Sequence, residues 1–410
     1  MLPLDDRAYR RLLVLALGFG VAGGVFALAY SFITNWGIGR FFGDPTPELF
    51  SGQWWWIPLI GAGALLVVWL RGRSGAAGKV PGAVAFARAG WVDPSNAFVL
   101  VAISAISLMV GASLGPSFGI VVSGGGFAAW VAKRHPDTDE GEGQAYSLTG
   151  MAGGLGAVFS APLFAAVMAS ELSPTPKRAY VAAFIPQFIA ATVGFVIYFG
   201  VTGTQMLDSF AVAGYVFEGW HLIAGIPLGL ASVVILLLYV WVRRLIGKAG
   251  ELLPNPYLKA VLLGSLVGFV AFAVPLTATA GSSQLVYEID HAATLGIGLL
   301  VLVLLAKMVA VALSQEAGFL GGIVFPILFI GGTSGLLVNA LFPEIPAGLA
   351  VGCMLAAVPG AIIAAPISFV LIGAGTVGLG VEAIAPIGIA VITAYVTVSA
   401  LRLRLSREDA

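Results

Sequence analysis

Charge is what this chain lacks. Lys and Arg number 20, Asp and Glu another 20, and together they make up 10% of the 410 residues, against about 25% in a water-soluble domain. Such a surface could not be kept in water, which excludes a soluble enzyme with a single anchor. Because the two signs balance, there is no reason to expect nucleic acid or an acidic partner. The single Cys353 excludes a disulfide framework and a cysteine metal cluster. Histidine is equally scarce: His135, His221 and His291 fall in predicted, solvated loops scattered over both sides, so no histidine metal site is expected and no cofactor is implied.

Apolar residues are abundant, at 59%. Windows of eighteen or more mostly apolar residues recur along the chain, each able to cross about 30 Å of hydrocarbon as a helix. A closed barrel would need short segments of alternating polarity, whereas Leu295 to Ala306 is apolar all round. The expected fold is an all-α, polytopic membrane protein, and the first apolar segment reads as a retained helix, not a signal peptide. Basic clusters at Arg7, Arg10 and Arg11, at Arg71, Arg73 and Lys79, at Lys133 and Arg134, at Lys177 and Arg178, at Arg243, Arg244 and Lys248, and at Arg402, Arg404 and Arg407 mark cytoplasmic connections. Both termini are then predicted inside a plasma or inner membrane. No segment is polar enough for a separate globular unit, so residues 1–410 read as one transmembrane domain with no cytoplasmic regulatory domain.

The apolar segments are interrupted, and the interruptions come in pairs. Gly111-Ala112-Ser113-Leu114-Gly115-Pro116 is followed by Phe159-Ser160-Ala161-Pro162-Leu163; Gly321-Gly322-Ile323-Val324-Phe325-Pro326 is followed by Ala364-Ala365-Pro366-Ile367. Corresponding broken segments in two halves point to inverted repeats, about 50–200 and 255–400, with a site at the midplane between them. A helix that starts inside the membrane presents unpaired N–H groups and the positive end of its dipole. Two such starts, at Gly115-Pro116 and at Gly322 to Pro326, would hold a small anion without a full basic charge.

In order and spacing these residues resemble the CLC family of chloride channels and proton-coupled chloride transporters, over about residues 10 to 400. The Gly-[Lys/Arg]-Glu-Gly-Pro motif of that family is similar to Ala112 through Pro116, its Gly-Gly-Ile-Phe-x-Pro motif to Gly321 through Pro326, and its Phe-Asn-Ala-Pro-Leu helix to Phe159 through Leu163 running on to Glu171. A later Ala-Pro-Leu start resembles Ala365-Pro366-Ile367, and Lys307 stands where the family often has a basic residue. The resemblance implies a homodimer in the lipid bilayer with one pathway per subunit for chloride or another small anion. It implies an anion site at Ser113, Leu114, Gly115, Gly322, Ile323, Val324 and Phe325, with Gly78, Lys79 and Val80 laid loosely on the family's Gly-Ser-Gly-Ile-Pro motif, its serine lost.

The departures bear on mechanism. The position of the family's gating glutamate is Leu114, which cannot carry a proton, and the internal proton-transfer glutamate would match Leu172, beside the internal acid Glu171. The resemblance thus implies passive, channel-like or proton-uncoupled anion transport. The alternatives are a secondary transporter coupled to protons or sodium through other groups, and a scaffold whose pore is closed. Lys79 reads either as a vestibule charge or as a topology signal; Glu171 reads as a titrating buried acid or as the polar end of its helix. Lys307 and Glu316 are too far apart on one helix to pair, so their partners are expected on other helices. Gly332-Thr333-Ser334-Gly335 resembles the serine motif of rhomboid proteases, but all three histidines precede it, leaving no later base; no enzyme is expected.

Overall fold

The computed structural model describes residues 2–76, 78, 80–135, 138–173, 180–204, 209–212 and 214–401. Lys79, Lys177, Arg178, Arg402, Arg404 and Arg407, used above for topology and for the site, lie outside the described residues.

Sixteen α-helices are present among the described residues, and no strand. The first half holds α1 (Arg7–Phe41), α2 (Trp56–Arg73), α3 (Ala83–Ala89), α4 (Pro94–Met109), α5 (Ser117–Lys133), α6 (Glu140–Val158), α7 (Pro162–Leu172) and α8 (Tyr180–Thr202). The second holds α9 (His221–Glu251), α10 (Pro256–Ala273), α11 (Ser282–Asp290), α12 (Ile297–Glu316), α13 (Val324–Leu341), α14 (Ala347–Ile363), α15 (Pro366–Val377) and α16 (Ile384–Ala400). Among the described residues eight helices are long and apolar enough to cross a membrane. At 35 residues, α1 is about 52 Å long and crosses a bilayer only if tilted or projecting. By contrast α7 has 11 residues and α15 has 12, roughly half a membrane's thickness at 1.5 Å per residue. The mixture of long tilted and half-length helices is the broken architecture expected from the sequence.

All four predicted breaks are found. They separate α4 from α5, α6 from α7, α12 from α13, and α14 from α15. The backbone turns the same way at corresponding breaks: Gly111 and Gly318 have φ of 98° and 92°, while Ser160 and Ala364 have φ of 47° and 60°. Pro162 and Pro366 then occupy the first turn of α7 and α15, where a missing N–H costs nothing.

Helices approach closely wherever small residues meet. A Cβ on Gly124 of α5 would overlap the Gly150 carbonyl of α6, and the reverse holds too. Small interfacial residues serve this purpose in lipid, where packing and hydrogen bonds replace the hydrophobic drive.

Two charged side chains of α12 are partnered across elements. Lys307, fully buried in α12, donates to the carbonyls of Thr277 and Thr279 at 3.1 and 2.7 Å, and Glu316 at the end of α12 pairs with Lys259 of α10 at 2.6 Å. Both find their partners on other segments, as their spacing predicts. His221 departs from expectation. Instead of lying in a solvated loop it opens α9 fully buried, its Nδ1 accepting from the Glu218 N–H at 3.0 Å and lying 3.1 Å from the Tyr215 hydroxyl. The neighbouring Trp220, Phe217 and Tyr215 rings, which pack on its imidazole, remove it from water. His135 and His291 are exposed.

Candidate functional site

The two central breaks cross each other. Gly115 donates its N–H to the Gly322 carbonyl at 2.7 Å, and Gly322 returns the bond to Gly115 at 2.7 Å. A second exchange surrounds the first: the Ser113 N–H donates to Ser314 Oγ at 3.0 Å, and the Leu320 N–H donates to Ser107 Oγ at 3.1 Å. Each serine hydroxyl donates in turn to a carbonyl one turn earlier in its own helix, Ser107 to Ile103 and Ser314 to Ala310. Every bond has its counterpart in the other half, so the crossing is built as a local two-fold. Six buried backbone groups that a helix break would leave unpaired are satisfied by it: the N–H and carbonyl of Gly115 and of Gly322, and the N–H groups of Ser113 and Leu320.

From this crossing α5 and α13 start in sequence immediately after Pro116 and Ile323. The first N–H groups of each helix precede its first intrahelical bond, which is Ile120 N–H to Pro116 in α5 and Ile327 N–H to Ile323 in α13. These ends carry partial positive charge.

Beside the crossing lies a cavity of about 210 Å³. Its buried end is walled by Leu114, Ser117, Phe118 and Val324, each at most 2% exposed. Its accessible end carries Arg71, Arg243 and Glu316. Arg71 fastens that end: Nε, Nη1 and Nη2 donate to the carbonyls of Ala76, Gly318 and Gly78 at 3.2, 2.8 and 2.7 Å. One guanidinium thereby joins the loop before α3 to the break after α12.

The sequence-predicted residues separate into groups. Val80, Leu114, Ile323 and Val324 line the cavity together. Gly115 and Gly322 form the crossing, where their amides are engaged with each other, and Ser113 is tied to Ser314. Phe325 turns to the other side and stacks on Phe159 at 5.1 Å. Gly78 contributes its carbonyl to Arg71. Glu171 stands apart from the cavity at the start of α15, where its carboxylate accepts from the N–H groups of Ile367 and Ser368, both at 2.9 Å, and from the Ser368 hydroxyl. Leu172 lines a separate small cavity of about 20 Å³ among Val121, Met151, Leu155 and Met168. Ser334 donates its hydroxyl to the Ile330 carbonyl of its own helix.

Sequence reasoning passed over Ser107, Ser314 and Ser117 and took Arg71 for a topology signal alone. A signal for two of them exists: both halves carry Ser-x-x-x-Gly-x-x-x-Gly, as Ser107, Gly111 and Gly115 and as Ser314, Gly318 and Gly322.

Residues 59–399 match the family described as voltage gated chloride channel. The chain belongs to the CLC family. Among curated relatives, an uncharacterised protein of Methanocaldococcus jannaschii is 30% identical over 198 residues, 48% of this chain and 49% of that protein. YfeO of Salmonella newport, named for ion transport, is 25% identical over 268 residues, 64% of this chain and 63% of that protein. The matched regions therefore span between half and two thirds of those relatives. Among solved structures, a slow cyanobacterial Cl−/H+ antiporter superposes with a TM-score of 0.81 at 18% identity, covering 95% of each chain. A CLC-type fluoride/proton antiporter gives 0.70 at 18% identity, covering 94% of this chain and 95% of that one. At that identity the superpositions show the CLC fold.

Proposed function

We propose that this CLC protein carries chloride or another small anion across the membrane passively, without coupled proton movement. The observation that carries the reading is the pair of helix starts, α5 and α13, meeting at a buried cavity whose accessible end holds two arginines. Amide dipoles attract an anion without the deep well a contacting ammonium would create, so the ion can leave again. Arg71 and Arg243 raise the local anion concentration electrostatically.

Absence of coupling follows from two side chains. Leu114 closes the buried end of the cavity where a carboxylate would be needed to exchange a proton with the anion. Leu172 faces a space of about 20 Å³ walled by methionine, leucine, valine and alanine apart from Ser117, barely room for one water and without a chain of polar groups to conduct protons. A second copy of the chain is the partner the family resemblance implies, and the basic clusters at Arg71 and Arg73 and at Arg243 and Arg244 support cytoplasmic placement of that face and of both termini.

The test is chloride efflux from proteoliposomes clamped with valinomycin, with proton movement recorded in the same sample. Fast efflux without protons is expected. Proton movement in a fixed ratio to chloride would replace the passive reading by a coupled one, and absence of flux with chloride, nitrate, fluoride and bicarbonate alike would sink anion transport altogether.

A further inference from the structure

We propose that the Ser117 hydroxyl is the side-chain donor that holds the permeating anion in the neck of the cavity, and that it sets which anions pass. The proposal rests on the anion-transport reading above and adds a specificity-determining residue to it.

Four observations converge on Ser117. Its side chain is 1% exposed, and its Oγ has no hydrogen-bond partner among the described residues. An unpartnered buried hydroxyl is destabilising, so one retained in a native structure calls for an occupant. The residue is the first of α5, at the positive end of that helix. It lines the cavity at its buried end, between the apolar side chains of Leu114, Phe118 and Val324. Finally, the opposing position is kept clear for it: a Cβ on Gly322 would overlap the Ser117 hydroxyl.

The other polar groups of the cavity are committed elsewhere. Arg71 has each guanidinium nitrogen on a carbonyl, and Glu316 holds Lys259. Arg243 and Gln315, the remaining polar side chains of the lining, are only partly buried and stand nearer the accessible end with Glu316. In the neck, therefore, an ion shedding water meets one hydroxyl, two partial helix charges and hydrocarbon. That set suits a monovalent ion; a divalent oxyanion would surrender far more hydration than one hydroxyl returns.

Selectivity follows from the same balance. An apolar neck alone favours large, weakly hydrated anions, because they lose least on dehydration. A hydroxyl donor forms its strongest bond to a small, charge-dense anion and so offsets the penalty for chloride more than for thiocyanate. Removing the donor shifts the permeability ratio toward thiocyanate.

The experiment compares wild type, Ser117→Ala, Ser117→Cys and Ser123→Ala in proteoliposomes, reading the thiocyanate-to-chloride and nitrate-to-chloride permeability ratios. Ser123 lies on the same helix with its hydroxyl on the Ile120 carbonyl and serves as the control. Ser117→Ala is expected to raise the thiocyanate-to-chloride ratio roughly tenfold, the order of one charge-assisted hydrogen bond, with Ser117→Cys intermediate and Ser123→Ala unchanged. Ratios in Ser117→Ala equal to wild type, whether or not the rate falls, overturn the proposal, since a structural role or a hydroxyl that holds only water would alter rate alone. If Ser117→Ala does not elute as a folded protein, Ser117→Cys decides: a raised ratio supports the assignment and an unchanged one overturns it. A wild-type protein that moves no anion removes the transport reading itself, an outcome distinct from either.

Discussion

Leu114 is the side chain on which the proposed mechanism turns. It is 1% exposed at the buried end of the cavity, and its Cβ lies against Gly321, its counterpart in the other half. Glycine opposite leucine leaves space for one side chain at the crossing, and leucine fills it without charge. Replacing it by a carboxylate of nearly the same reach gives a sharp prediction. An ionised glutamate there would compete with the anion for the amide dipoles of α5 and α13, whereas its protonated form would not. In Leu114→Glu, anion flux should be suppressed at neutral and alkaline pH and recover as the pH falls and the carboxyl is protonated; wild-type flux should show no such recovery. Flux in the variant that is active and flat with pH would place residue 114 outside the conduction path.

At the scale of elements, the helix starts differ in what occupies them. The starts of α5 and α13 face a cavity, while that of α15 is filled by Glu171 of α7, three hydrogen bonds deep. Glu171 does stand at the polar end of its helix, one residue before α7 stops, and its carboxylate is in addition a cap supplied to another helix. The reason is geometric: α7 ends where α15 begins, since both follow Ala-Pro breaks that turn alike. A side chain from a distant helix cannot be inferred from local spacing, which is why the breaks themselves were legible in Gly and Pro positions and the cap was not. Removing the cap should cost about 1–2 kcal/mol. Glu171→Ala is expected to lower the unfolding temperature in detergent, and Glu171→Gln, which keeps an acceptor oxygen, to lower it less, with anion permeability ratios unchanged in both. A change in those ratios would bring Glu171 into the pathway.

For the molecule as a whole, the membrane class, the helical fold, the four breaks and their pairing were written in composition and in Gly and Pro placement, because hydrocarbon permits so few backbone solutions. What the sequence concealed was the contact between the halves. Leu114, Val324 and Val80 could be placed at one site through resemblance, but Ser117 meets Gly322 and Arg71 meets Gly318 across distances in sequence that only the fold closes. The crossing also yields a prediction about how the halves are held. Ser107→Ala leaves the buried Leu320 N–H without an acceptor, and Ser314→Ala does the same to Ser113, each costing about 1–3 kcal/mol. Since the two bonds are related by the local two-fold, the single variants should lower the unfolding temperature by similar amounts. The double variant should lower it by less than the sum, because both bonds brace one contact and the second matters less once the first has loosened it. Unequal single effects, or strict additivity, would mean that the halves are fastened by two independent contacts instead of one shared crossing. That outcome would also weaken the case that α5 and α13 present their ends to one anion as a rigid pair.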